Sequence, residues 1–125
     1  MTVRSEWVEL KADDSTALRA WVARPEDSPP RRGLLVFQEA FGVNAHMRDV
    51  TERFAAQGFV ATSPDLFHRT APGFQGSYTD FPGVMPHLQA ITEGGIDADV
   101  RAAYGWLQSA GVGGNSAATA ATFHR

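Results

Sequence analysis

The chain has 125 residues, of which 43% are hydrophobic and 20% charged, and its formal net charge is −3. This composition is typical of one ordinary globular domain and argues against a disordered or fibrous chain. The arginines and the single lysine are scattered, so they form no basic stripe that would follow nucleic-acid phosphates. No apolar run approaches the ~20 residues that span a bilayer, and residues 1–6 lack the apolar core of a signal peptide. We therefore expect a cytoplasmic protein with no nucleic-acid or membrane partner.

The first part of the sequence predicts a β-hairpin followed by a loop. Two β-prone runs, Trp7–Leu10 and Ala17–Val22, are separated by Asp-Asp-Ser at residues 13–15, and such side chains favour turns by bonding nearby backbone. The polar stretch that follows has prolines at residues 25, 29 and 30. Because proline cannot donate to a β-ladder, we expect this stretch to be a surface loop.

The next segment predicts a strand, helix, strand unit. Gly33–Phe37 is continuously apolar, as in a central parallel strand that is buried on both faces. Apolar residues then recur at helical spacing over Met47–Phe54, with Asn44 placed to cap the helix and Gly58 to end it. A second apolar run, Phe59–Thr62, is predicted to pair in parallel with the first strand. The predicted fold class is α/β.

The remaining residues predict a long excursion, another helix and a weak strand. Residues 67–95 are rich in glycine, proline and aromatics without strong periodicity, and loops this long are usually functional or disordered. One helical face recurs from Ile96 to Leu107, with Asp97 and Asp99 near the positive end of the helix. The strand expected after such a crossover helix falls on residues 116–123, which are poor in β-branched and large apolar side chains.

Two segments that follow the predicted parallel strands are the most informative for function. They are residues 37–44, Phe-Gln-Glu-Ala-Phe-Gly-Val-Asn, and residues 63–69, Ser-Pro-Asp-Leu-Phe-His-Arg. Both follow the carboxyl ends of strands, where open α/β sheets place their ligands. In order and spacing they resemble the dienelactone hydrolase (carboxymethylenebutenolidase-like) family of the α/β-hydrolase superfamily. In that family a Glu, a small or aliphatic residue, Phe-Gly and Asn open the first helix, and Pro-Asp-Leu-aromatic ends the next strand.

This resemblance predicts an incomplete α/β-hydrolase fold, in which an antiparallel hairpin precedes parallel β-α-β units. Residues 1–125 would form the N-terminal portion of a single domain. The family cleaves a small-molecule ester or lactone with a Cys or Ser nucleophile on a strained elbow, aided by Asp and His partners, and we expect no cofactor. Such an elbow exposes the nucleophile beside backbone N–H groups that stabilise the tetrahedral oxyanion.

By the resemblance, two residues of this chain belong to the catalytic site. Glu39 matches the family's glutamate that contacts the nucleophile, and the backbone N–H of Ala40 supplies half of the oxyanion hole. A carboxylate beside a thiol or hydroxyl can hold its proton and control when it attacks. The alternative is that Glu39 only interacts with the positive end of the adjacent helix.

Four further residues are predicted to line a substrate cleft: Phe41, Asp65, Phe67 and Arg69. Aromatic side chains could wall an apolar acyl pocket or simply pack in the core. Asp65 could make a local Asx-type turn instead. Arg69 could meet an anionic carboxylate, although a solvated arginine explains it equally well. The family's arginine clamp on a dienelactone carboxylate is not recognisable in residues 81–95.

The histidines invite a metal or triad interpretation that their spacing does not support. Asp65 and His68 could form a ligand pair or an acid and base pair, and His46, His68 and His87 could be imagined as a zinc site. A lone surface position is the ordinary explanation for each histidine. We therefore predict no metal.

The elbow of the family has no counterpart in this sequence. There is no cysteine, and neither Gly-x-Cys-x-Gly nor Gly-x-Ser-x-Gly follows the last helix. Ser109 and Ser116 lack flanking glycines, and His124 does not follow an acid as a triad base would. A truncated or frameshifted gene near Gly114, or one piece of a split protein, would explain the break.

The sequence therefore predicts a hydrolase that is inactive alone. A non-catalytic ligand-binding or interaction module is the alternative. A third hypothesis is a hydrolase completed by self-association or by a complementing C-terminal fragment. An unfinished sheet exposes an edge strand and an apolar face, so we expect poor solubility as a monomer.

Overall fold

The computed structural model describes residues 2–26, 32–110 and 119–122. The predicted hairpin is confirmed, because strand β1 (Val3–Lys11) pairs antiparallel with strand β2 (Ala17–Pro25). At the turn, the Asp14 carboxylate accepts hydrogen bonds from the backbone N–H and the hydroxyl of Thr16. The prediction that Pro25 belongs to the loop was wrong, since it is the buried last residue of β2. At the end of a strand, a proline interrupts no further pairing; residues 29 and 30 lie outside the described part.

The predicted strand, helix, strand unit is also confirmed. It consists of strand β3 (Arg32–Phe37), helix α1 (Ala45–Ala56) and strand β4 (Phe59–Pro64), and the two strands pair in parallel. Asn44 caps α1 as expected, because its side chain accepts a hydrogen bond from the Met47 N–H at 3.0 Å. Gly58 follows the helix with φ +104°, a left-handed conformation that favours glycine.

The strands form one mixed sheet in the order β1-β2-β4-β3-β5. Strand β5 (Thr119–Thr122) lies within the predicted final strand and pairs in parallel with β3. Strand β3 is therefore central, as its continuous apolar run predicted, with β4 on one side and β5 on the other. The carboxyl ends of β3 and β4 meet at one edge of the sheet, and the two informative loops leave from this edge.

Helices cover both faces of the sheet. On one face, α1 packs over Leu34 and Val36 through Met47. On the other, helix α3 (Glu93–Ser109) packs Ala103 and Leu107 against β3 and β4. Helix α3 begins three residues before the predicted apolar face. Among the described residues, no helix has the length and apolar character of a membrane span.

Helix α2 (Phe81–Gln89) corrects the prediction that residues 67–95 are an irregular excursion. Pro82 and Gly83 mask this helix in the sequence. Proline is tolerated in a first turn because the N–H it lacks would have no partner inside the helix. The Asp80 side chain caps the helix by accepting a hydrogen bond from the Gly83 N–H at 3.1 Å. Apolar residues do recur at helical spacing, at Phe81, Val84, Met85 and Leu88, but the interior Pro86 adds a second proline that argues against a helix in the sequence.

Candidate active site

Gln38 joins the two loops that leave the carboxyl edge of the sheet. Its side chain is 8% exposed. The side-chain oxygen accepts a hydrogen bond from the Leu66 N–H at 2.8 Å, and the side-chain nitrogen donates to the Glu39 carbonyl at 3.3 Å. The two segments singled out in the sequence are therefore held together, as expected for loops that follow neighbouring parallel strands.

Glu39 lies half-buried in this joined region. Its Oε2 atom is buried and has no hydrogen-bond partner among the described residues. Leaving a buried polar atom unsatisfied costs about 1–3 kcal/mol, more when it is charged, so each such atom needs a physical explanation. Thr62, Ser63 and His68 also have one among the described residues. The arrangement provides a carboxylate oxygen that is ready to accept a hydrogen bond from another group.

Ala40 follows Glu39 in a tight turn. The Gly42 N–H donates to the Glu39 carbonyl at 3.4 Å, and Gly42 has φ +83°. Among the described residues, the Ala40 N–H donates no hydrogen bond. The loop therefore carries an unused backbone donor and an unused carboxylate oxygen on consecutive residues.

A strap, defined here as residues 74–78, crosses the outside of this turn. The Gly76 N–H donates to the Phe41 carbonyl at 3.0 Å. The half-buried ring of Phe41 meets the Tyr78 ring edge to face, with 4.6 Å between centroids. The Tyr78 hydroxyl accepts a hydrogen bond from the Asn44 side chain at 3.0 Å, yet the residue is 60% exposed. Phe41 and Tyr78 thus form an aromatic rim beside Ala40.

Phe67 and Asp65 are placed underneath the loops. Phe67 is 1% exposed and packs against Phe74 and His87, with ring centroids 5.9 and 5.8 Å away, so core packing explains it. Asp65 forms the Asx turn that was the alternative interpretation, with Oδ1 accepting from the Phe67 N–H at 3.0 Å. Its Oδ2 accepts from the Gly73 N–H at 2.8 Å. Both carboxylate oxygens are therefore engaged by backbone groups.

Arg69 is held by two carboxylates of the chain, so neither sequence interpretation of it describes its environment. The guanidinium donates to Asp14 at 2.8 Å and to the two oxygens of Asp99 at 3.0 and 3.1 Å. The hydrogen bond from Arg69 holds the pKa of Asp14 far below its usual value, and Asp14 in turn raises the pKa of Arg69. Through these contacts Arg69 connects the hairpin turn, the loop after β4 and helix α3.

The prediction that His68 is a surface histidine was wrong. Its side chain is 1% exposed, and Nε2 lies 2.9 Å from Oδ1 of the equally buried Asp99. Its Nδ1 has no partner among the described residues. The imagined pair with Asp65 is not formed. The sequence analysis related Asp99 only to the positive end of the helix, although helical spacing from Ile96 and to Ala103 puts it on the apolar face.

The other two histidines differ from each other. His46 is exposed, as predicted. His87 is half-buried against Phe74, at 4.3 Å between ring centroids, and forms a 2.9 Å hydrogen bond with the Thr70 hydroxyl. In the described part of the chain, no three His, Cys, Asp or Glu residues are grouped as metal ligands would be.

The contact between Asp14 and Arg69 predicts an acid-sensitive contribution to stability. Because the folded pKa of Asp14 is depressed, the contribution is present above the unfolded pKa of about 3.9 and is lost as the pH falls through the folded pKa. Asp14→Asn should therefore be less stable than the wild type at pH 7, with a difference that shrinks below about pH 4. Urea unfolding across this pH range measures it, and a difference that does not change with pH would contradict the assignment.

Comparisons with known proteins agree with the fold. A mixed sheet with helices on both faces, and a polar turn after its central strand, defines the amino-terminal part of an α/β-hydrolase fold. A solved structure described as “Putative Dienelactone Hydrolase” from Klebsiella pneumoniae superposes with a TM-score of 0.84 at 21% identity, over 98% of this chain and 50% of that chain. The family model “Dienelactone hydrolase family” matches residues 18–119. The chain therefore belongs to the dienelactone hydrolase family.

The curated relatives are longer than this chain. A “Putative carboxymethylenebutenolidase” of Azospirillum brasilense is 48% identical over 68 residues, which are 54% of this chain and 29% of the relative. A “Carboxymethylenebutenolidase” of Pseudomonas putida is 36% identical over 69 residues, 55% of this chain and 29% of the relative. The chain thus matches less than a third of the length of these two relatives.

Proposed function

We propose that this chain supplies part of the active site of an ester or lactone hydrolase that acts on small molecules. The observation that carries the proposal is the buried, unpartnered Oε2 of Glu39, which is followed in the chain by the unused Ala40 N–H. A carboxylate oxygen and a backbone donor on one loop suit the two needs of acyl transfer. The carboxylate holds the proton of a nucleophile, and the backbone N–H stabilises the oxyanion that forms on attack.

In this proposal, Glu39 accepts a hydrogen bond from a thiol or hydroxyl nucleophile and restrains it until substrate arrives. When the nucleophile adds to the ester carbonyl, the nucleophile's proton passes to the Glu39 carboxylate, and the carbonyl oxygen gains negative charge and accepts a hydrogen bond from the Ala40 N–H. Phe41, with Tyr78, would border the acyl or leaving group. We assign Asp65, Phe67 and Arg69 as supports beneath the loops rather than substrate contacts, because their polar groups are already engaged or buried.

The sequence contains no nucleophile elbow, so we propose that the chain needs further residues to turn over substrate. The expected cytoplasmic location, the self-association and the complementing fragment stay predictions. The purified 125-residue chain should hydrolyse p-nitrophenyl acetate no faster than buffer. Turnover above buffer would contradict the account of the missing nucleophile.

A chimera tests the role of Glu39 directly. Residues 1–110 of this chain would be joined to the remaining C-terminal part of the Azospirillum relative, which is expected to restore p-nitrophenyl acetate hydrolysis. Glu39→Gln in the chimera should lower kcat/KM by about 10²-fold, since it removes a proton-holding carboxylate. The matched control is Glu9→Gln, which changes an exposed glutamate of β1. Equal losses in both variants, or none in Glu39→Gln, would refute the proposed role.

A further inference from the structure

A cavity lies at the opposite end of the sheet from Glu39. Its volume is about 270 Å³, and it is lined by Arg4 and Glu6 of β1, Val22 and Arg24 of β2, and Trp106 of α3. Strand β2 runs antiparallel to β4 with Ala23 beside Ala61, so Arg24 lies at the amino-terminal end of the parallel strands. Glu39 follows the carboxyl end of β3, which is six residues long at ~3.3 Å per residue. The proposed ester-cleaving site therefore does not explain this cavity.

Two arginines of the cavity lining lie side by side on neighbouring strands. Arg4 and Arg24 are directly opposite in the β1-β2 register, so their side chains leave the same face of the sheet. Like charges directly opposite one another destabilise a strand pair. Within the described part of the chain, neither guanidinium forms an ion pair. An anion bound between them would relieve this repulsion.

The other lining residues restrict the kind of anion. The Trp106 ring forms a flat apolar wall, and the Arg24 guanidinium carbon lies 5.9 Å from the ring centroid, within cation–π range. Glu6 places a carboxylate in the same lining. Among the described lining residues, two arginines and one glutamate give a formal charge of +1. One negative charge is therefore enough to neutralise the described lining.

We propose that this cavity binds a small planar aromatic monocarboxylate. The carboxylate lies between Arg4 and Arg24, which are suited to charge-assisted hydrogen bonds with carboxylate oxygens, and the ring packs against Trp106. Ligand pockets usually measure about 300–1,000 Å³, so this cavity suits a single ring. The site does not depend on the proposed ester hydrolysis.

Saturation-transfer NMR with benzoate and the full 125-residue chain tests the proposal. We expect saturable transfer to the benzoate ring protons. Arg4→Gln and Arg24→Gln should each raise the Kd about tenfold by removing a charge-assisted contact. Trp106→Leu should weaken binding by removing the flat wall, and Glu6→Gln should strengthen it. The control is Arg53→Gln on α1, whose side chain is 78% exposed and distant from the cavity lining. Far-UV circular dichroism checks that each variant is folded.

Three further probes test the chemistry of the site. Cyclohexanecarboxylate has the charge without the planar ring, benzyl alcohol has the ring without the charge, and inorganic phosphate competes as an anion without a ring. Cyclohexanecarboxylate and benzyl alcohol should bind more weakly than benzoate, and inorganic phosphate should displace benzoate poorly. Absence of saturable benzoate binding, equal binding of benzyl alcohol, or affinities unchanged by Arg4→Gln and Arg24→Gln would each overturn the proposal.

Discussion

Asp99→Ala is expected to lower the free energy of unfolding by at least about 3 kcal/mol. The Asp99 and His68 side chains are each 1% exposed, and the Arg69 side chain is 28% exposed. Removing the carboxylate deprives the His68 ring of its only hydrogen bond among the described residues and leaves Arg69 without two of its contacts. Removing one partner of a buried hydrogen-bonded group of side chains costs more than the bonds contribute, because the polar atoms left behind lose their partner without regaining water. Urea unfolding followed by tryptophan fluorescence measures this loss.

Two further variants, Asp97→Ala and Asp99→Asn, test whether the loss of stability comes from the buried carboxylate. Asp97→Ala removes a carboxylate two residues away on α3, where the side chain is 70% exposed and pairs with Arg101 at 3.7 Å. Its cost should stay below about 0.5 kcal/mol, as for other exposed pairs of this spacing. Asp99→Asn keeps one oxygen acceptor, so its loss of unfolding free energy should lie between the losses in Asp97→Ala and Asp99→Ala. If Asp97→Ala and Asp99→Ala were equally destabilised, the hydrogen bonds of Asp99 with His68 and Arg69 would not explain the loss of stability.

Gly42→Ala is expected to detach the strap from the turn that carries Glu39. Gly42 has φ +83°, and a Cβ there would lie 2.2 Å from the backbone carbonyl oxygen of Phe74. The left-handed conformation costs an alanine about 1–2 kcal/mol. The contact adds to this cost, because a backbone atom must move rather than a flexible side chain. We expect a total loss of about 2–4 kcal/mol and faster hydrogen exchange at the Gly76 N–H, which bonds to Phe41.

Gly58→Ala is the matched control for this prediction. Gly58 also has a positive φ, +104°, but a Cβ there meets no atom within 4 Å. Its substitution therefore carries the conformational cost alone. The excess loss in Gly42→Ala measures the contact with the strap. Equal destabilisation of the two variants would mean that the strap does not press on this turn.

The parts of the site that follow from local sequence were predictable. Glu39 and Ala40 come directly after a continuously apolar strand, and Asn44 carries the side chain that caps the next helix. Asp65 makes its turn with a residue two positions later. These features depend on neighbours in the chain, so the residue order alone locates them.

The parts that depend on distant residues were not predictable from spacing. Asp99 lies 31 residues from His68, and Arg69 lies 55 residues from Asp14. Each of these side chains alone looks like a solvated surface group. Their burial becomes apparent only when α3 packs beside the loop after β4. Helix α2 was missed for a local reason, since Pro82, Gly83 and Pro86 argue against a helix although its apolar residues have helical spacing.

The sequence by itself determined the hairpin, the central β-α-β unit and the family, because apolar periodicity, helix caps and loop motifs are local features. Only the tertiary structure decided that Arg69 is held by carboxylates of the chain, that His68 is buried, and that Glu39 has an unpartnered oxygen. Tertiary packing also placed Arg4 and Arg24 beside Trp106 around a cavity. Charged groups acquire these properties from what surrounds them, and that surrounding is assembled from segments far apart in the chain.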